Sequence, residues 1–265
     1  MERLVVLGSN ELRAFVAIAL AMVAMSSLSS QVDTETKGSE SNEFSLIYDG
    51  RVGPIKVGIL EAHLVIKDQS YELDGQIAGA GPIARLLDWK GEFAAKGVFE
   101  GGNPITTAYL LMERDEKGEK EERKTIIIYD STVVISETGK PRVQREKPTG
   151  IDMMSAIFAN SECRDEMLVH DGEDPFVIKL WKQKPDQKLR QGKDYFSGSA
   201  EMCRYKFIYD EDEVRKVDIW LAEIHGRKVP VRLAFRIPVI PDGVFKLRTV
   251  AAKTEDSSES ADESS

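Results

Sequence analysis

Apolar and polar residues alternate along most of the chain in short runs that are separated by turn residues. Between residues 71 and 77, Tyr71, Leu73 and Ile77 lie on one side and only polar residues on the other. This alternation is typical of a strand with one buried face. About twelve such runs recur, and they predict strands at 44–48, 56–66, 71–77, 90–99, 106–114, 124–130, 132–136, 166–170, 175–183, 197–209, 214–224, 229–237 and 244–251.

Two segments have helical spacing instead. In residues 83–89 the apolar side chains fall on one face, and Pro82 suits the first turn of a helix. Residues 151–159 predict a second helix, with Asp152 as its N-cap. Many short strands and few helices indicate a mostly β fold, a single antiparallel curved sheet, barrel-like or spiral, with two short helices.

Charge divides the chain into a nearly neutral core and two acidic flanks. The net charge is −9, but residues 31–43 hold four acids and one lysine, and residues 254–265 hold five acids and no base. Both segments lack apolar residues in the proportion that folding requires, so we expect a disordered leader at 31–43 and a disordered acidic tail at 254–265. The β-rich domain then covers residues 44–253. No basic footprint for nucleic acid is present in this pattern.

The first 30 residues have the three parts of a secretory signal peptide. Arg3 and Arg13 precede an uncharged run at 14–25, and small residues follow at 26–30. An uncleaved membrane anchor is the alternative, but spanning a bilayer takes about 20 apolar residues and this run is shorter. We therefore expect cleavage near residue 30 and no transmembrane segment in the mature chain.

Cys163 and Cys203 are the two cysteines of the sequence. In an oxidising compartment an even count favours pairing, and two cysteines allow a single pattern. Such a disulfide contributes about 4 kcal/mol in the chain-entropy model. Two unpaired thiols are the alternative, and the spacing is not that of a redox or zinc motif.

Two surface features are candidates for binding. The apolar residues of 83–89 could form a lid over a barrel mouth, or the helix could simply fill the core; they are Ile83, Leu86, Leu87 and Trp89. The segment that follows Trp181 predicts a basic loop at 184–194, which could contact anionic lipid headgroups or be only solvated. Its cations are Lys182, Lys184, Lys188, Arg190 and Lys193.

No catalytic motif stands out. His63, His170 and His225 do not neighbour a nucleophile in a recognised motif, and Asp171-Gly172 is as typical of a turn as of a histidine partner. The phosphate-binding glycine motifs do not occur. We expect no catalytic residue, no cofactor and no metal site.

Several short segments occur in a particular order over residues 44–250. They are Tyr48-Asp49-Gly50 with Val57-Gly58, residues 81–89, Asp152-Met153-Met154-Ser155-Ala156, His170-Asp171-Gly172, the two cysteines, and Trp220-Leu221-Ala222 followed by residues 229–233. In this order the chain resembles the bacterial family named domain of unknown function 3108, exported proteins of Gram-negative envelopes. The resemblance implies an exported, non-enzymatic envelope protein with a curved β-sheet, and the family has no assigned activity to carry over. The acidic serine-rich tail departs from the family pattern.

These observations lead to one hypothesis and two alternatives. The hypothesis is a periplasmic binding protein that takes an apolar ligand or an envelope partner in its concave face. The alternatives are a hydrolase with acidic active-site residues and a purely structural envelope protein.

Overall fold

The structure, a computed structural model, describes residues 41–81, 84, 88–117, 120–210, 214–236 and 242–255. These residues form one α-helix, α1 (Met153–Phe158), and fifteen strands. The strands are β1 (Ser41–Val52), β2 (Ile55–Lys67), β3 (Ser70–Gly79), β4 (Asp88–Glu100), β5 (Asn103–Lys117), β6 (Lys120–Tyr129), β7 (Thr132–Glu137), β8 (Val143–Glu146), β9 (Ile151–Asp152), β10 (Glu166–His170), β11 (Pro175–Arg190), β12 (Ser197–Ile208), β13 (Val214–Ile224), β14 (Arg227–Arg236) and β15 (Gly243–Glu255).

All fifteen strands belong to one sheet in the order β8-β7-β6-β5-β4-β3-β2-β1-β15-β14-β13-β12-β11-β10-β9. Neighbouring strands are antiparallel, except that β9 pairs with β10 in parallel. Strands that follow each other in sequence are neighbours throughout each half, which is the arrangement that short turns allow. The pairing of β1 with β15 joins the half β1–β8 to the half β9–β15.

The helix α1 shows that the sheet is curved. All six of its residues are buried, and it contacts β5, β9, β10 and β14. The ring of Phe158 lies 6.0 Å from that of Tyr48 on β1 and 6.1 Å from that of Phe93 on β4. Strands so far apart in the order reach one short helix because the sheet wraps around it. The concave face, where the sequence suggests an apolar ligand, is therefore occupied by α1.

The alternation predicted from the sequence is present in the strands. In β3, Tyr71, Leu73 and Ile77 are buried and face the core. The charge run after residue 114 forms the β5–β6 hairpin. The helix at 151–159 is confirmed, and its N-cap is Asp152, whose carboxylate accepts a hydrogen bond from the Ser155 backbone N–H at 2.8 Å.

Four predictions of local structure are wrong. Trp89, expected in a helix, lies in β4 with 8% of its surface exposed. The expected loop at 184–194 is strand as far as Arg190, because one irregularity in the pairing with β12, between Lys184 and Gln187, absorbs Pro185 and Asp186. The leader and the tail are also shorter than predicted, since β1 begins at Ser41 and β15 ends at Glu255.

Other predictions lie outside the described residues. The signal peptide at 1–30, most of the leader, the end of the tail, and Ile83, Leu86 and Leu87 belong to this group. Within the described ranges, no helix has the length and apolar character needed to cross a membrane.

Candidate functional site: a basic outer face

A row of four cations crosses the outer face of the sheet. Lys179 on β11 is the register partner of Lys206 on β12, Lys206 is that of Lys216 on β13, and Lys216 is that of Arg236 on β14. Adjacent strands are about 4.8 Å apart, so the row spans roughly 15 Å. Like charges directly opposite each other destabilise a sheet. This row therefore has an electrostatic cost that the fold does not require.

Trp181 lies beside this row at an irregularity of β11 and is 53% exposed. Three cations lie near its ring: the ammonium groups of Lys206 and Lys216, 5.2 and 5.0 Å from the ring centroid, and the guanidinium of Arg204 at 6.0 Å. Cation–π attraction holds them around the indole. The result is an exposed aromatic ring surrounded by positive charge.

One carboxylate is built into this surface. Asp218 on β13 is 1% exposed and accepts two hydrogen bonds from Arg204, at 2.6 and 2.5 Å, and one from Arg236 at 3.0 Å. Burial opposes ionisation, but these hydrogen bonds outweigh it and lower the pKa of Asp218. The ion pair fixes both guanidinium groups in place, while Lys206 and Lys216 have no carboxylate partner among the described residues.

The positive surface continues on β14 and β15. Arg232 stacks over Trp220 at 4.6 Å and is the register partner of Lys246, which lies over Tyr195 at 5.3 Å. Partial burial and the neighbouring Arg232 and Arg51 lower the pKa of Lys246. We define the basic face as Trp181 and eight cations: Lys179, Lys182, Arg204, Lys206, Lys216, Arg232, Arg236 and Lys246. Glu166, 3.0 Å from Lys179, and Asp218 are ion-paired with it, Asp49 is the register partner of Lys246, and Asp242 lies near Arg204 and Arg232.

The residues proposed from the sequence for anionic contact are only partly brought together. Lys182 is the register partner of Arg204 and belongs to the basic face. Lys184, Lys188 and Arg190 are exposed on β11 but stand opposite Met202, Ser199 and Ser197. Lys193 is exposed in the turn after β11. Trp89 is buried in the core, so the structure does not place it in a lid.

Of the eight cations of the basic face, only Lys182 was predicted from the sequence as a contact residue. Arg204 and Lys206 alternate with buried residues on β12, as Lys216 and Asp218 do on β13, and this alternation marks them as outward-facing. The alternation does not reveal how neighbouring strands are aligned. The register of the strand pairing places these cations opposite one another rather than opposite acids.

A second polar group is buried where β5, β9 and β10 meet. Asp152 accepts a hydrogen bond from the Thr106 hydroxyl at 2.5 Å, and its own N–H donates to that hydroxyl oxygen at 3.1 Å. His170 is the register partner of Asp152, is fully buried, and has no hydrogen-bond partner for either ring nitrogen among the described residues. Burial lowers the pKa of His170, although Asp152 opposes this. Asp171 caps the following turn, since its carboxylate accepts from the N–H groups of Glu173 and Asp174 at 2.9 Å.

A third group gathers carboxylates around Lys124 on β6. Glu113 on β5 and Glu137 on β7 are its register partners, and Glu173 lies 2.5 Å from its ammonium group. Burial raises the pKa of Glu113 to about 7; Lys124 lowers it, and Glu173, Glu137 and Asp171 raise it. Burial, the largest cause, and the surrounding carboxylates together outweigh Lys124 and bring the pKa of Glu113 close to neutral pH.

The expected disulfide is formed between Cys163 and Cys203, with the two Cα atoms 5.4 Å apart. It ties the segment before β10 to the middle of β12. Within the described ranges, no group of three or more His, Cys, Asp or Glu side chains is arranged to hold a metal ion.

Comparisons with models of protein families and with curated proteins find no match. Two solved structures are similar to the chain. One is a β-barrel-like protein of domain of unknown function 1849 from Brucella abortus, with a TM-score of 0.43 and 8% identity over 81% of this chain and 98% of that chain. The other is a candidate exported protein with a YmcC-like fold from Bacteroides fragilis, with a TM-score of 0.32 and 8% identity over 80% of this chain and 95% of that chain. The resemblance to domain of unknown function 3108 stays a prediction.

Proposed function

We propose that this protein is an extracytoplasmic, non-enzymatic binding protein that docks its basic face on an anionic lipid surface of the cell envelope. The observation that carries the proposal is the row Lys179, Lys206, Lys216 and Arg236. Each like-charged cross-strand pair costs about 0.2–1 kcal/mol in the isolated protein. Phosphate groups of a lipid surface would reverse this cost, since a lysine or arginine gains about 1 kcal/mol near an anionic membrane.

The shape and chemistry of the face support the same occupant. The cations lie on consecutive strands of one sheet, so they present themselves together to an extended surface. Trp181 adds an indole that is half exposed, and such amphipathic rings are favoured at membrane–water interfaces. A concave ligand site is not needed for this activity, which agrees with a concave face that α1 occupies.

The disulfide supports the location. Disulfides persist in oxidising compartments and are rare in the cytosol, and both cysteines of the chain are paired. Together with the signal peptide expected at residues 1–30 and the family resemblance, this leads us to place the protein in the periplasm.

Vesicle sedimentation tests the proposal. The purified protein should sediment with vesicles of phosphatidylcholine and phosphatidylglycerol and remain in solution with phosphatidylcholine alone, and added salt should release it. The double variant Lys206→Glu/Lys216→Glu should bind at least about tenfold more weakly. The matched control, Lys67→Glu/Lys96→Glu, makes the same change of charge on β2 and β4 and should bind like the original. Equal sedimentation with both vesicles, or an equal loss in both variants, would refute the proposal.

A hydrolase is the second candidate, and Glu113 favours it. A carboxyl whose pKa is raised to about 7 among other carboxylates is a feature of acid–base sites. If the protein is a hydrolase, Glu113→Gln should abolish turnover of ester, phosphoester and glycoside substrates while leaving vesicle binding unchanged. Absence of turnover by the unaltered protein on all three substrate classes would remove this candidate.

A further inference from the structure

A cleft of about 860 Å³ opens beside the disulfide, on the side of the molecule where β5 and β10 approach each other. Its walls are residues 103–105 of β5, residues 150–151, and residues 162–168, which include Cys163 and the beginning of β10. None of the cations of the basic face lines it. It is therefore a separate surface with its own chemistry.

Two free strand edges border the cleft. Residues 166–168 of β10 pair with β11 on one side, but β9 covers only Val169 and His170 on the other. At the start of β5, β4 pairs from Asn103 onward, whereas β6 pairs only from Ala108 onward. Among the described residues, no strand occupies the space between these edges. Backbone N–H and C=O groups at such edges are ready to pair with another extended chain.

The strand β9 shows that an extended chain can pair with this edge of β10. It lies between β10 and β5, pairs in parallel with β10, and is tied to β5 through Thr106. Gly150, with φ of +103°, turns the chain out of the space directly before β9. A Cβ at Gly150 would lie 2.4 Å from the Leu168 carbonyl oxygen, so the backbone leaves in close contact with β10. The cleft begins where β9 stops, along the same edge of β10.

The walls indicate which segment would fit. Ile105 and Leu168 are 39% and 45% exposed and offer apolar contact to alternate side chains of an added strand. The rim carries Glu162, Asp165 and Glu166. The cation Arg164 is held by the cleft's own walls, since it donates to the Gly102 carbonyl at 2.8 Å and to the Asn103 side chain and pairs with Glu162 at 2.9 Å. Glu166 is paired with Lys179 of the basic face at 3.0 Å, so Asp165 supplies the excess negative charge of the rim, which is complementary to one basic residue of a partner.

We propose that this cleft receives an extended segment of a partner protein, apolar at alternate positions and with a lysine or arginine, which adds as a strand beside residues 166–168 of β10. Main-chain hydrogen bonds to β10 supply affinity, and Ile105, Leu168 and the acidic rim supply specificity. The proposal does not depend on the basic face, because a partner strand and a membrane would occupy different surfaces.

A library of random eight-residue peptides, displayed on phage and selected on the purified protein, tests the proposal. Enriched peptides should alternate apolar and polar positions and carry a basic residue. Synthetic copies should protect the amides of Glu166 and Leu168, which face the cleft, from hydrogen exchange, whereas the Met167 amide already faces β11. Methylation of alternate peptide nitrogens in a synthetic copy should weaken binding about tenfold, because it removes about two main-chain hydrogen bonds.

Two variants separate the cleft from other free edges. Leu168→Lys changes an exposed side chain of the cleft and should weaken binding about tenfold by removing apolar contact and adding repulsion. Val143→Lys is the matched control on β8, the edge strand at the other end of the sheet, and should have no effect. The proposal fails if no peptide is enriched, if both variants bind alike, or if the Glu166 and Leu168 amides are already protected in the free protein, since the chain itself then fills the cleft.

Discussion

On the outer face of β2–β4, charged residues stand opposite residues of the other sign or opposite a hydrogen-bonding partner. Glu72 is the register partner of Lys96 and lies 2.7 Å from it, and His63 contacts the carboxylate of its partner Asp74 at 3.2 Å. On β11–β14 the same antiparallel geometry places four cations in a row. Strands β2–β4 and strands β11–β14 of one sheet thus use the same register rules with different charge patterns.

The difference is not a general lack of acids in the second half. Where cations do face each other in the first half, Lys90 opposite Arg114 and Arg114 opposite Arg123, Glu121 lies 3.8 and 2.5 Å from the two guanidinium groups and Glu92 lies near Lys90 and Arg114. In the second half Asp218 is shared by Arg204 and Arg236, whereas Lys206 and Lys216 lack such a partner among the described residues. The facing cations of the first half have acids beside them, and Lys206 and Lys216 are the cations for which we propose an external anion.

The largest effect should come from the disulfide, which lies in the half that bears the repulsion. The variant Cys163→Ala/Cys203→Ala should lose about 4 kcal/mol of unfolding free energy, because the unfolded chain is no longer constrained. Urea denaturation measures the loss. If the comparison between the halves is right, hydrogen exchange should accelerate more in β10–β13 than in β2–β4. Uniform acceleration in all strands would contradict it.

The next effect should come from Asp218→Asn. It leaves Arg204 and Arg236 without their anion, so we expect a loss of about 2 kcal/mol in unfolding free energy, since hydrogen bonds between charged groups contribute about 1.5–3 kcal/mol. Binding to anionic vesicles should become tighter because the basic face gains one unit of net positive charge. The control Glu72→Gln removes an exposed acid from the first half and should cost about 0.5 kcal/mol or less. Equal losses would mean that Asp218 is no more important than a surface ion pair.

A smaller and opposite change in unfolding free energy is expected when one cation of the row is replaced by an acid. Lys206→Glu places an acid between Lys179 and Lys216 and should raise the unfolding free energy by up to about 1 kcal/mol. The same change in the first half, Lys96→Glu, puts a like charge opposite Glu72 and should lower it by about 0.5 kcal/mol. Urea denaturation of both variants measures whether the change in unfolding free energy is positive in one and negative in the other. A loss of stability in both would show that the row carries no electrostatic cost.

Much of the fold follows from the sequence because the signals are local. Alternation with a period of two placed most of the strands, and the Asp152 cap placed α1. Predictions failed where tertiary contacts override local preference. Pro185 and Asp186 suggest a loop, but pairing with β12 on both sides of them keeps β11 extended. Trp89 has helical spacing with Leu86, but pairing with Asp115 of β5 places it in a strand.

The candidate site was predictable only in part, because it depends on register. The sequence pointed to Trp181 and Lys182, which are close together in the chain. Lys179, Lys206, Lys216 and Arg236 span 58 residues and meet only through three successive strand pairings. A shift of one residue in any pairing would turn a cation opposite a buried side chain instead. The sequence alone does not specify these pairings.

The smallest net effect should be the dependence of the unfolding free energy on pH. One titrating group in each half contributes to it, and the two contributions have opposite signs. His170 on β10 has a folded pKa below its ordinary value of 6.5, so its contribution is complete above about pH 6.5 and is lost as the pH falls through the folded pKa. Glu113 on β5 has a pKa raised from 4.5 to about 7, so its contribution is complete below about pH 4.5 and is lost as the pH rises through 7.

Variants of the two residues separate these contributions. Unfolding free energy measured by urea between about pH 5 and pH 8 should fall less steeply towards acid in His170→Gln and less steeply towards base in Glu113→Gln. The slopes matter here rather than the absolute values, because both side chains are largely buried and either change lowers stability at every pH. Asp152, Lys147 and Asp171 around His170, and Lys124, Glu137, Glu173 and Asp171 around Glu113, are retained in both variants. If His170→Gln keeps the original acid slope, His170 is not the source of the acid sensitivity, and Asp218 cannot replace it in this window, because its pKa is lowered below 3.8 and its contribution is lost only at more acid pH.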